Sequence, residues 1–150
     1  MTRAITLLLV LSASPLVAQH PLVGAWQVSL PAGVRLENGI ATPIAASGVL
    51  TVVAQGDSLI GNLIIDLAPE GPARPPLRLA ALVGEGKATF VSRTKATIIR
   101  NGGQTEAGVT STWTLGVRGD SLEGTVERKL EGVQDGSQGP QSVTGKRRNS

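Results

Sequence analysis

The sequence predicts an all-β fold: one antiparallel up-and-down barrel of eight strands after an N-terminal export signal. Three observations predict it. Apolar and polar residues alternate with period two in segment after segment, as in half-buried strands. Short glycine-containing turns separate these segments. After residue 20 no window shows the three-to-four residue apolar spacing of an amphipathic helix.

Residues 1–18 read MTRAITLLLVLSASPLVA. Arg3 supplies a short positive region, Ile5 to Leu11 an apolar run, Ser12 to Pro15 a helix break, and Ala18 a small residue for cleavage. This is the pattern of a secretory signal peptide, and the run is too short for a ~20-residue membrane span. The expected organisation is a signal peptide at 1–18 and a single domain at 19–150. The expected location is exported, periplasmic or extracellular, with no membrane span.

The first mature strand is Gly24–Leu30. Val49–Gln55 and Ser58–Asp66 flank Gly56-Asp57, and Leu77–Val83 and Lys87–Arg100 flank Glu85-Gly86. Val109–Arg118 and Ser121–Glu131 flank Gly119-Asp120, and Ser142–Arg147 is the last strand. The segments within 31–43, 68–76, 101–106 and 132–141 read as longer connections rich in Gly and Pro. In Val109–Arg118 the residues Val109, Ser111, Trp113, Leu115 and Val117 share a face opposite three threonines and Arg118. In Ala88–Ile98 the corresponding face carries Ala88, Phe90, Ser92, Thr94, Ala96 and Ile98. In Leu122–Leu130 it carries Leu122, Gly124, Val126 and Leu130, with Arg128 among them.

One hairpin design occurs twice. Leu50–Ile65 (LTVVAQGDSLIGNLII) and Trp113–Arg128 (WTLGVRGDSLEGTVER) match at 6 of 16 positions. Gly61 and Gly124 fall at equivalent points, where a glycine inside a strand marks a bulge, a bend or a close approach. Eight meandering strands leave two edges unless they close. An eight-stranded barrel has room for packed side chains or one small ligand.

Gly24-Ala25-Trp26 opens the first mature strand. A Gly-x-Trp there, followed by a run of antiparallel strands, resembles the lipocalin and avidin-like barrels, the calycin group. The resemblance implies that Gly24 and Trp26 lie at a closed barrel end. It also implies that a basic residue of the last strand packs across the Trp. With Val143 inward, parity selects Arg147 as that residue. The tyrosine and tryptophan set that avidins use for biotin is not matched, because the chain has no Tyr.

Composition removes whole classes of function. There is no Cys and one His, so there is no disulfide, no thiol nucleophile, no cysteine metal site and no His-rich metal cage. Three aromatics leave little for base stacking. Without Arg3 the chain has 13 basic and 11 acidic residues, too mild an excess to imply nucleic acid. No oligomeric state is readable. His20, the one imidazole, falls near the mature terminus. Glu123 and Glu127 share a face with Lys129 and read as a solvated outer surface. Arg118-Gly119-Asp120 reads as a hairpin tip, with Gln55-Gly56-Asp57 as its parallel. Arg78, Lys87, Arg93, Lys95 and Arg100 give the central hairpin a basic outer face.

The expected function is therefore non-catalytic: a barrel holding a small apolar molecule, with no cofactor and no metal. Trp113, Phe90, Ser92 and Ser111 are the candidate ligand-binding residues, and Trp26 is a further aromatic that could border the ligand. The alternative is a filled barrel of the cell envelope, acting through its loops or its basic face.

Overall fold

The computed structural model describes residues 20–149, apart from 38–39, 67–75, 84–85, 101–102 and 133–136. The signal segment 1–18 lies outside the described residues. Eight strands follow in chain order: β1 (Gly24–Glu37), β2 (Ile40–Gln55), β3 (Ser58–Asp66), β4 (Leu77–Val83), β5 (Lys87–Arg100), β6 (Gly103–Arg118), β7 (Ser121–Leu130) and β8 (Ser137–Arg147). Each pairs antiparallel with the next, and β8 returns to β1, so the sheet closes into an up-and-down barrel. Closure satisfies the backbone groups that two free edges would expose.

The inward face is the apolar parity of each strand. Leu50 and Val52 of β2, Leu59 and Leu63 of β3, Phe90 of β5, Trp113 and Leu115 of β6, Leu122 and Val126 of β7 and Val143 of β8 are all buried. Glu123, Glu127 and Lys129 of β7 point outward and are exposed. Gly56 and Gly119 take positive φ in their turns, +58° and +61°, which glycine adopts without strain. The two echoing glycines mark close approaches rather than bulges. The ladder runs unbroken through both, Gly61 opposite Val52 and Gly124 opposite Leu115.

Four strands run further than the alternation predicts. β1 and β2 continue into the segment read as a loop, β6 starts at Gly103, and β8 starts at Ser137. Beyond Ser29, β1 keeps β2 as its neighbour but no longer pairs with β8. Beyond Thr94 and Val109, β5 and β6 pair mainly with each other. A stretch of strand paired on one side only lies outside the closed wall, where a period-two pattern is not required. Two ladder breaks bend the wall. One lies between Pro31 and Gly33 of β1, the other between Val126 and Arg128 of β7, opposite the stretch of β8 that contains Pro140. Proline has no N–H to give to a ladder.

Candidate functional site

The two ends of the barrel differ. The hairpin tips at Gly56, Gly86 and Gly119 gather at the end where β1 begins, and a plug seals it. Residues 20–23 form a turn, with the Val23 N–H donating to the His20 carbonyl at 2.9 Å. Leu22 is fully buried under it. Trp26 is 0% exposed and donates its indole Nε1–H to the Leu22 carbonyl at 2.8 Å. The Arg147 guanidinium lies 4.3 Å from the centroid of the Trp26 ring, a cation–π distance. Arg147 Nη1 donates to the Val23 carbonyl at 3.1 Å and Nη2 to the Pro21 carbonyl at 2.9 Å. One arginine of the last strand thus fastens the N-terminal turn over the barrel end. Gly24 permits it: its φ is +132°, and a Cβ there would stand 2.8 Å from Arg147 Nη1.

His20 is part of this plug. Its Nδ1 accepts the Leu22 N–H at 3.2 Å, and its Nε2 is buried with no partner among the described residues. Desolvation holds its pKa below the ordinary 6.5. The unfolded chain therefore takes up a proton at a higher pH than the folded one. The contribution of neutral His20 to stability is present above pH 6.5 and lost as pH falls through the lowered folded value. The expected result is a midpoint of thermal unfolding that drops between pH 7 and pH 5, and drops less in His20→Asn. Equal pH profiles for the two proteins would refute the assignment.

The opposite end is built in rungs. Register places Phe90 of β5, Trp113 of β6 and Val126 of β7 side by side on the inner wall. Directly above them Ser92, Ser111 and Arg128 make the next rung. Ser92 and Ser111 are the buried polar residues of the described barrel, 4% and 6% exposed. Trp113, 3% exposed, aims its indole upward and donates Nε1–H to Ser92 Oγ at 3.3 Å. The structure thus brings the four candidate residues Phe90, Ser92, Ser111 and Trp113 into one contiguous patch of inner wall. Trp26 sits apart from them, occupied by the plug.

Arg128 is the residue the sequence reading left out of this group. Its guanidinium reaches past β8, with Nη1 donating to Gln141 Oε1 at 3.1 Å and Nη2 to the Pro31 carbonyl of β1 at 3.0 Å. Both acceptors stand at the ladder breaks, where β8 and β1 have parted. Burial pushes its pKa down, although a guanidinium remains charged at neutral pH. The signal for it was present: Arg128 shares the parity of Leu122, Gly124 and Val126.

The other motifs lie outside. Arg118, Gly119 and Asp120 are exposed at a tip, where Asp120 Oδ1 stands 3.9 Å from Arg147 Nε. Arg78, Lys87, Arg93 and Lys95 are exposed on the outer face. Side-chain placement at Arg100 lies outside the described residues. Along the β1–β8 seam an open outer depression of about 490 Å³ passes over Gly145, bordered by exposed Gln27, Thr144 and Lys146. No three His, Cys, Asp or Glu side chains cluster as a metal site among the described residues. No protein-family model, no curated protein and no solved structure matches the chain.

Proposed function

We propose that this protein is an exported, non-catalytic, lipocalin-like barrel that holds a small, mostly apolar molecule in the half away from the plug. The observation that carries this reading is the asymmetry of the inner wall. One end is sealed by the Trp26–Arg147 plug. At the other, the apolar rung of Phe90, Trp113 and Val126 gives way to Ser92, Ser111 and Arg128. Ligand sites are commonly apolar clefts with a few placed polar groups, and barrel mouths are a frequent location.

The ligand would rest on the Phe90–Trp113 rung and not below it. A Cβ on Gly61 would lie 3.3 Å from Leu50 and Leu79 side-chain atoms and 3.5 Å from Phe90, so side chains fill the wall there. That same packing favours the second reading, a filled envelope barrel working through its outer face.

Trp113 separates the two. Trp26→Phe leaves it as the lone tryptophan. The expected result is blue-shifted emission in the folded protein that changes when a hydrophobic dye or a fatty acid is added. Blue-shifted emission that no apolar probe alters would select the filled barrel. Emission typical of solvated tryptophan would reject the inward site altogether.

A further inference from the structure

We infer that the ligand carries a carboxylate, and that Arg128 receives it at the mouth of the barrel, beside the Ser111 hydroxyl. The inference rests on the reading of the barrel as a ligand holder and names the class of ligand: a small monocarboxylic acid with an apolar body.

Four observations carry it. Arg128 is half-buried on the inner wall, directly opposite Ser111 in the β6–β7 ladder. Its hydrogen-bond partners are neutral, a side-chain amide oxygen and a peptide carbonyl. Among the described residues no carboxylate stands within ion-pair distance of it: Glu106 pairs with Lys95 and Asp120 with Arg147. The acids of its own strand, Glu123 and Glu127, face outward through the sheet. A guanidinium has five N–H donors, so two hydrogen bonds leave most of its donor fork open.

The repeated hairpin supplies the fourth observation. In the first copy the inward positions are Leu59, Gly61, Leu63 and Ile65; in the second they are Leu122, Gly124, Val126 and Arg128. Ile65 packs against the hydrophobic core. The same local fold therefore accepts an isoleucine where β7 carries a cation. Burying part of a charge without a counter-ion is costly, and an anionic ligand would remove that cost. A carboxylate is the planar anion that matches the guanidinium fork. The apolar rung of Phe90, Trp113 and Val126 below would take the hydrocarbon part.

The test is displacement of a bound hydrophobic dye from the purified protein by decanoate and by decanol, which share a chain and differ in the head group. Decanoate is expected to bind roughly 10-fold tighter or better, as a charge-assisted pair requires. Arg128→Gln should abolish that preference by weakening decanoate far more than decanol. Arg128→Lys, which keeps the charge and loses the fork, should retain part of it. In the unmodified protein, carboxyl-labelled decanoate should show a depressed carboxyl pKa by NMR when bound. Equal binding of acid and alcohol, a preference that survives Arg128→Gln, or an undepressed carboxyl would overturn the carboxylate assignment while leaving an apolar site standing. Failure of dye, acid and alcohol alike to bind would overturn the ligand-holding reading, and this inference with it.

Discussion

Replacing Trp26 by alanine is expected to lower stability by about 3–5 kcal/mol, the range for deleting a large buried aromatic. Trp26 is 0% exposed and belongs to the hydrophobic core. Its indole N–H is satisfied by the Leu22 carbonyl, and its ring carries the Arg147 guanidinium. Alanine leaves a cavity, an unpaired carbonyl and a cation without its aromatic face. The lost contacts also hold the N-terminal turn, so the plug and the barrel end should loosen together. Denaturant unfolding followed by far-UV circular dichroism measures the effect, since Trp113 alone would otherwise report it. An unchanged midpoint would mean that the plug contributes nothing to the fold. Trp26→Phe keeps most of the packing and should cost much less, which makes it usable as the background for the Trp113 probe experiment.

Gly124→Ala is expected to cost about 3 kcal/mol, the upper part of the range for forcing extra volume into a packed wall. A Cβ at Gly124 would fall 2.1 Å from the Thr114 carbonyl oxygen and 2.9 Å from Leu115 Cδ2. The first of these is backbone in a paired strand, so it can yield only by distorting the β6–β7 ladder. The equivalent glycine of the other hairpin provides the internal comparison. At Gly61 the nearest atoms to a new Cβ are side-chain carbons of Leu50 and Leu79 at 3.3 Å, which a small shift can relieve. Gly61→Ala should therefore be clearly milder than Gly124→Ala, although the two glycines occupy the same place in the repeated sequence. Equal costs at the two sites would show that the ladder gives way as easily as the side chains do.

The comparison of these glycines shows where local sequence stops being informative. Both read alike, as glycine within a strand three residues after the turn serine. How closely the neighbouring wall approaches each depends on the barrel's curvature and on which strand lies alongside. Both are properties of the closed sheet.

Much of the architecture was determined by sequence alone. Alternation in 88–98, 109–118 and 122–130 set the inward and outward faces, because a one-residue slip would turn every apolar side chain to water. The Gly-Asp pairs placed two of the hairpins, since few residues accept their backbone geometry. Trp113, Phe90, Ser92 and Ser111 were selected on parity, and the ladder register sets them side by side. A closed barrel was expected from the eight-strand meander, and Arg147 across Trp26 from the calycin resemblance; tertiary structure decided the register of closure and the contacts it makes. Closure between β1 and β8 occupies only Trp26–Ser29 and Thr144–Arg147, residues about 120 positions apart in the chain. No local pattern encodes a pairing at that separation. The same closure carries Arg147 to the turn at Pro21–Val23 and Arg128 to the carbonyl of Pro31. Arg128 stood on the inward parity from the outset. A cation on an apolar face acquires meaning only when its neighbours are known, and those neighbours come from strands brought together by the closed barrel.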